Sequence, residues 1–473
     1  MSASRETGLD ILFVHVGRAH SRGRDLLIMP LGLAALADLL ERGGVRARVY
    51  NAAAAEAAGG AEPLGRVLAR LAPRVVGLDL HWHQQTRGVL EAAREVRRAL
   101  PGAFVVAGGF TASLYDRGLL DAAPEIDAVV RGDAEGPLPD LVRRVLGGER
   151  DLSGVANLAW RRGGGIARNA QTYAACDRDL EDLRYGRLEL VLNRDDCLRG
   201  LWRDEQAGSP EYRDRRVVFY NPGRGCPHDC SFCGGGRRGQ AAINGRPRLA
   251  RKSPDSALRD LSDFASAGAR TVHVCFDPFP DDGWYAELFR RVRAARLELA
   301  MVFECWGLPS PAFVAAFAET FGPGSRLILS PESGSERVRR LNKSRPYTNA
   351  ELAAALETIR ARGVAAEVCF GVGLPGETAE DVRATERLAA ALSRRFACAV
   401  AASPIAAEPA SPVFLDPAAR GVALRRRTLA DFAAQDGPYD VGYRTEALPE
   451  DEIARRALRL ERLCVRLNER RGR

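Results

Sequence analysis

Along the first 150 residues, short apolar runs alternate with amphipathic stretches. The runs are ILFVHV (11–16), ARVY (47–50), VVGLDL (75–80), FVVAG (104–108) and DAVVRG (127–132). Between them, PLGLAALADLLERGG stops at Gly43, TRGVLEAAREVRRAL runs to Pro101 and GPLPDLVRRVLGG stops at Gly147, each with apolar residues at helical spacing. Strand–helix alternation over five units predicts an open, mostly parallel Rossmann-like sheet with helices on both faces. Ligands of such sheets sit at the carboxyl ends of the strands. Residues 151–215 break the rhythm. VANLAWRRGGGIARN predicts a hairpin around a Gly-rich turn, and the polar remainder reads as a connector.

From residue 217 the alternation resumes and counts to six: VVFYN, TVHVCF, AMVFEC, RLILS, AAEVCFGVG and FACAVAA. A helical pattern follows each of the first five. SPDSALRDLSDFASAG has Ser253 as N-cap, Pro254 at the first helical position and Gly268 as the stop. Thr348 with Glu351 forms a capping box, and Thr378 with Asp381 repeats it. Six such units predict a partial (β/α)6 barrel of the TIM type, with its working residues on the loops after the strands. The predicted fold is therefore α/β: a Rossmann-like domain (1–150), a connector (151–215), the barrel (216–404) and a short helical C-terminal extension (405–473).

Composition changes this picture little. Hydrophobic residues make up 46% and charged residues 27% of 473, which suits a chain that buries real cores. Lys+Arg of 69 against Asp+Glu of 61 leaves +8, and only Lys252 and Lys343 are lysines. That Arg and Ala bias reads as base composition of the genome, so no nucleic-acid partner is expected. No run approaches the ~18–20 apolar residues of a membrane span, and no signal-peptide pattern opens the chain. A cytoplasmic protein with reduced thiols is expected. Seven cysteines, at 176, 197, 275, 305, 369, 398 and 464, are scattered and read as small apolar fillers.

The other three crowd into GRGCPHDCSFCGGG (223–236), directly after the first barrel strand. Cys226, Cys230 and Cys233 are spaced for one loop to wrap one metal centre. A structural zinc site wants four closed ligands, with His228 available as the fourth. A 4Fe–4S cluster normally takes four thiolates, so three leave one iron open for chemistry. The glycines after Cys233 let backbone approach a ligand closely.

C-x3-C-x2-C with Phe232 before the third cysteine, after the first strand of a six-unit barrel, resembles the signature of the radical S-adenosylmethionine enzymes. The resemblance implies that the three cysteines hold a 4Fe–4S cluster. It implies that the open iron is chelated by the amine and carboxylate of S-adenosylmethionine, and that reductive cleavage yields a 5′-deoxyadenosyl radical. Further segments are similar to this family. FDPFPDDGWY carries Asp277 where the family has an acid near the methionine end of the cofactor. SPESGSERVRRLNKS carries Ser330, Glu332 and Ser333 of its E-S-G-S segment. GVGLPGET carries Gly373 and Pro375 of its G-x-P-G-E-T turn, with Glu377 and Thr378 as caps for the next helix. Phe232, Gly234 and Gly235 complete the implied cofactor contacts. The sixth segment, SPIAAEPASPVF, departs from the expected Pro-Gly-Thr pattern.

The front domain resembles the subclass whose N-terminal domain binds cobalamin. GLDLHWHQQT supplies Asp79, His81, Trp82 and His83. VVAGGFTAS supplies Gly108, Gly109, Phe110 and Thr111, and AVVRGDAEGPLPDL supplies Gly132 and Glu135. The D-x-H-x-x-G of mutases is absent: HVGRAHSRG keeps His20 and Gly23 but has Arg18 where Asp should stand. Strand alternation puts Asp79, His81 and His83 on one side and Trp82 on the other, with Trp82 or His83 against the lower corrin face.

The resemblance implies C-methylation at an unactivated carbon, with cobalamin supplying the methyl group, on a small-molecule substrate. An external one-electron reductant of the flavodoxin or ferredoxin type is implied as partner. Tyr220, Glu304 and Trp306 are the substrate-side candidates near the barrel mouth. The alternatives are radical rearrangement, cyclisation or oxidation without methyl transfer, and a metal-binding regulatory module without turnover.

Overall fold

The computed structural model describes residues 8–17, 28–58, 62–199, 216–246, 248–278 and 283–471. The chain divides into two compact units. One comprises Met1–Arg216, Ala241–Arg251 and Thr428–Gln435; the other comprises Val217–Gln240, Lys252–Arg427 and Asp436–Arg473.

The first unit is built on a seven-stranded sheet: β1 (Ile11–His15), β2 (Ala47–Asn51), β3 (Val75–Asp79), β4 (Phe104–Gly108), β5 (Ala128–Val130), β6 (Leu158–Arg162) and β7 (Gly165–Arg168). Its order is β2-β1-β3-β4-β5-β6-β7. The first five strands pair in parallel. All five residues of β1 are buried, as expected for a strand covered by helices on both faces. The predicted hairpin forms, with Gly163 and Gly164 both at positive φ in a two-residue turn. Left-handed backbone at both turn residues is what a tight hairpin needs. This hairpin adds β6 and β7 antiparallel to the edge of the same sheet. The boundary drawn at residue 150 therefore falls within one sheet, and residues 151–199 pack as part of the first unit rather than as a separate connector.

The second unit holds the six predicted parallel strands in sequential order: Val217–Tyr220, Thr271–Val274, Ala300–Cys305, Arg326–Glu332, Ala365–Val372 and Ala399–Pro404. They are called barrel strands one to six below. The sixth is an edge. There the side chain of Asn468, on the helix Glu450–Arg471, accepts from Val400 N–H at 3.0 Å and donates to its carbonyl at 2.9 Å. An amide that imitates a neighbouring strand blunts an edge otherwise open to foreign pairing.

The caps are as predicted. Ser253 accepts from Ser256 N–H, and Thr348 and Thr378 form capping boxes with Glu351 and Asp381. The helical layer packs on the barrel through aromatics: Tyr285 and Phe313 lie 4.9 and 5.0 Å from Phe303 on strand three. Tyr220 belongs to this outer layer. Its ring packs 5.3 Å from Phe264, and its hydroxyl donates to Asp260 Oδ2 at 2.9 Å. The same carboxylate takes the ammonium of Lys252, and neither side chain is exposed. Among the described residues, no helix is long and apolar enough to cross a membrane.

Removing one partner of a fully buried ion pair leaves an uncompensated charge, at a cost of about 3–5 kcal/mol. Lys252→Met is expected to lower the unfolding midpoint strongly, and adding Asp260→Asn to recover most of the loss, as read by thermal denaturation.

Candidate active site

The three-cysteine loop leaves barrel strand one and is tied down on several sides. Between Cys230 and Cys233, Ser231 donates its N–H to the Asn342 carbonyl at 2.8 Å, and its hydroxyl meets Asn342 Oδ1 at 2.5 Å. The Ser231 carbonyl accepts from Val413 N–H at 2.9 Å. Asp229 N–H donates to Ser344 Oγ at 2.8 Å. Gly234 N–H donates to Glu408 Oε2 at 2.8 Å, and a Cβ at Gly234 would lie 2.3 Å from the Pro409 carbonyl oxygen. Gly234 thus answers to close backbone packing, while Phe232 and Gly235 stay half-buried.

Burial pushes the Cys226 thiol up to about 11, and the neighbouring Cys230 and Asp229 add to the shift. Burial raises Cys233 further, with Glu408 and the other two cysteines contributing. The three thiols lie close enough to influence one another, and a cationic centre would stabilise them as thiolates. Three soft donors on one short loop suit an iron–sulfur centre.

The other barrel loops place the remaining candidates in two groups. Asp277 is buried and accepts from Trp306 N–H at 3.0 Å. Trp306 packs edge-on to Phe276 at 5.8 Å and to His228 of the cysteine loop at 6.4 Å. Lys343 binds the Ser330 carbonyl and lies 3.5 Å from Glu332 Oε1. Burial raises the Glu332 carboxyl, against the pull of Lys343. These residues come together at the barrel mouth. Ser333, Gly373 and Pro375 serve the framework instead. Ser333 is fully buried, with its hydroxyl 3.4–3.5 Å from Thr385 and Glu377. Gly373 N–H donates to Glu377 Oε2 at 2.7 Å, and its carbonyl and that of Ile405 both lie 2.9 Å from the Tyr443 hydroxyl. The Pro375 carbonyl accepts from Asn342 Nδ2 at 3.0 Å. Glu377, read from sequence as a cap, is therefore the residue that shapes the turn.

Glu304 faces the barrel interior. Its Oε1 lies 2.8 Å from His273 Nε2, and His273 stacks on Phe219 at 4.5 Å. The His273, Cys275 and Glu304 ligand atoms all lie within 4.8 Å of one another. Sequence reading chose Glu304 and missed its companions. The link lies in strand register rather than in sequence spacing: Phe219 and His273 are register partners on adjacent strands, and Glu304 follows two residues after the partner of His273. Tyr220, on the opposite face of strand one, does not join this group.

In the first unit, β3 ends at Asp79, so strand alternation does not extend through His81–Trp82–His83. The chain turns instead into a short 3-10 helix, His83–Gln85. Asp79 Oδ2 pairs with His15 Nδ1 at 2.8 Å, where β1 and β3 lie in register at their carboxyl ends. Burial alone would raise the Asp79 carboxyl, but the His15 hydrogen bond and charge hold it below its ordinary value. His83 is buried, its ring 4.9 Å from Phe432. His81 is exposed and packs edge-on to Trp82 at 4.7 Å, with Phe110 at 6.3 Å. Gly109 takes φ +109, because a Cβ there would strike the backbone of Leu80 and His81. Thr111 donates to the His81 carbonyl at 2.9 Å. Gly132 N–H donates to Ser113 Oγ at 2.8 Å, and Glu135 is buried. His20 lies outside the described residues. Among the described residues, the sheet's carboxyl end offers a ligand the rim of His81, Trp82 and Phe110, with Trp82 and Phe110 half-exposed. Such a rim fits the flat face of a macrocycle.

Comparison with known proteins meets this geometry at both sites. Residues 220–389 match the Radical SAM superfamily model, and residues 24–142 match the B12 binding domain model. Residues 220–389 thus carry a radical SAM domain, and residues 24–142 carry a B12-binding domain. The cofactors that these two domain models imply are a 4Fe–4S cluster, S-adenosylmethionine and cobalamin. The hopanoid C-3 methylase of Methylococcus capsulatus is 29% identical over 212 residues, covering 44% of this chain and 36% of that protein. The anaerobic magnesium-protoporphyrin IX monomethyl ester cyclase of Synechocystis is 30% identical over 139 residues, covering 29% and 24%. The chain thus spans about a third or less of these relatives' lengths. The fold is similar to that of the radical S-adenosylmethionine methyltransferase TsrM from Kitasatospora setae, solved with cobalamin and a [4Fe-4S] cluster bound. The TM-score is 0.68 at 17% identity, over 97% of this chain and 89% of that one.

Burial pushes the Glu377 carboxyl up to about 7 from 4.5, against the lowering effect of the Gly373 and Leu374 N–H groups. A raised folded-state value means the stabilisation is full below pH 4.5 and is lost as pH rises through 7. Between pH 5 and 8 the wild type is expected to lose about 3 kcal/mol relative to Glu377→Gln. Denaturant titrations of both proteins across that range measure the difference.

Proposed function

We propose that the chain is a cobalamin-dependent methyltransferase that modifies an unactivated carbon of a small-molecule intermediate. The observation that carries this reading is the three closely spaced thiols on the loop after barrel strand one, in a chain whose residues 24–142 match the B12 binding domain model. The partial likeness to a hopanoid methylase supports methyl transfer over other radical outcomes. The bound groups supply reducing electrons, hydrogen-atom abstraction and a transferable methyl group. The protein's own part is placement. Asn342, Glu408 and Ser344 hold the cysteine loop, and Asp277 orients the Trp306 backbone at the mouth. Lys343 and Glu332 face the same opening. Cys226, Cys230 and Cys233 hold the cluster, and the His81–Trp82–Phe110 rim carries the corrinoid. Electrons come from a flavodoxin- or ferredoxin-type donor in the cytoplasm.

The likeness to a magnesium-protoporphyrin ester cyclase favours a second reading, radical oxidation or cyclisation without methyl transfer. The two separate on product mass after turnover with isotopically labelled S-adenosylmethionine.

Anaerobic purification, cluster reconstitution, addition of hydroxocobalamin and desalting are expected to leave one cobalt per chain beside one 4Fe–4S cluster. Iron without cobalt would hand the protein to the second reading. Cys230→Ala is expected to lose both the iron–sulfide content and deoxyadenosine formation; a variant that still made deoxyadenosine would sink the cluster assignment. Trp82→Ala is expected to weaken corrinoid retention about tenfold, on the scale of one lost aromatic contact surface. Unchanged retention would remove Trp82 from the rim.

A further inference from the structure

Among the described residues, the barrel interior contains three carboxylates besides Asp277, and their company differs. Glu332 has Lys343 at 3.5 Å, and Glu367 has Arg326 at 3.2 Å. Each is therefore balanced by a full positive charge. Glu304 is held by an imidazole at 2.8 Å and by the Cys275 thiol. Neither is a fixed full charge of the Lys or Arg kind, since an imidazole carries one only when protonated.

Glu304 is also the most open of the three. Its side chain is 38% exposed, against 15% for Glu332 and 20% for Glu367. That exposure is to the hollow of the barrel rather than to the outer surface. The neighbouring residues Phe303 and Cys305 are buried on the helical side. Glu304 also raises the Glu332 carboxyl and the Cys369 thiol, which belong to strands four and five. Burial acts to raise Glu304 itself, yet the His273 and Cys275 contacts outweigh it and keep the group ionised. A carboxylate held ionised on a low-dielectric wall, with one oxygen engaged by His273, retains acceptor capacity toward the hollow.

We propose that Glu304, fixed by His273 and Cys275, is a binding site for an ammonium or protonated-nitrogen group of the substrate. The inference rests on the enzymatic reading above and narrows its substrate class to small molecules bearing a basic nitrogen. His273 acts as a positioning residue: stacked on Phe219 and bonded to Oε1, it fixes the carboxylate's rotamer. The amine of S-adenosylmethionine is the other source of the same chemistry, but the family resemblance assigns that amine to the open iron.

The test uses ligand-observed NMR on the cluster-reconstituted full chain with benzylammonium, benzyl alcohol and benzoate as matched probes. Benzylammonium is expected to bind and benzoate not, with benzyl alcohol about tenfold weaker than the amine. Glu304→Gln is expected to remove the preference for the amine, whereas Glu357→Gln, on an exposed helix face, retains it. If Glu304→Gln fails to fold, the comparison of the three probes on the wild type still decides. Equal binding of amine and benzoate overturns the proposal. So does loss of the benzylammonium signal under saturating S-adenosylmethionine, which would give the carboxylate to the cofactor. So does stoichiometric zinc bound at His273, Cys275 and Glu304 and released by Glu304→Gln. Because no turnover is read, an amine preference without methylated product would stand while the methyl-transfer reading fell.

Discussion

The contact between Ser231 and Asn342 is the constraint on which the barrel mouth depends. Asn342 is buried, and its amide oxygen meets the Ser231 hydroxyl while its amide nitrogen donates to the Val338 and Pro375 carbonyls at 2.9 and 3.0 Å. Its own carbonyl takes the Ser231 N–H. One side chain thus joins the loop after strand one, the helix after strand four and the turn after strand five. In a parallel barrel these three loops are separated in sequence and meet only at the carboxyl end of the sheet. Thiols that bind a metal tolerate displacements of about 0.2 Å. A loop with three ligands and a run of glycines cannot meet that tolerance alone. Each bond to Asn342 removes a freedom that the glycines add.

Charge in this barrel is distributed with the same economy. Lys252 and Lys343 are the only lysines among 69 basic residues, and both are buried. A chain so biased toward Arg keeps lysine only where a compact point charge on a linear stem must enter the interior. A guanidinium is a planar fork with five donors, and it would need more partners than these sites offer. Lys252 serves Asp260 behind strand one, and Lys343 serves Ser330 and Glu332 at the end of strand four. The compositional oddity noticed in the sequence thus marks two structural sites, although the sequence alone does not say what they do.

What was legible followed from local rules. Strand runs, capping boxes and the Gly-Gly hairpin each depend on residues within a few positions, and each forms where its pattern lies. The H-W-H run misled because alternation holds only while the backbone is a strand, and β3 ends at Asp79 before the run begins. Tyr220 misled for the opposite reason. It does lie on a strand, but periodicity gives two faces without saying which is inward, and the Asp260–Lys252 pair claims it from the helical side. The companions of Glu304 and the role of Asn342 were hidden because they are set by register between strands and loops far apart in sequence.

The S-P-E-S-G-S segment combines both effects. Its resemblance located the segment, but the faces of its residues depend on a break in the ladder. The register of strands four and five shifts between Leu329 and Glu332, and Glu332 takes φ +63. A bulge of this kind re-aims the side chains after it. A non-glycine residue in left-handed backbone costs about 1–2 kcal/mol, so surrounding contacts must hold it there. Lys343 supplies one on the Glu332 side. On the other side, Ser333 is locked by Thr385 and Glu377, and a Cβ at Gly334 would lie 2.6 Å from Thr385 Cα. The bulge therefore divides two adjacent polar residues: Glu332 opens toward the mouth, and Ser333 goes into the wall. A motif read as one set of cofactor contacts is, in three dimensions, one residue beside Lys343 at the opening and one fastening, and the fastening keeps the strained residue in place.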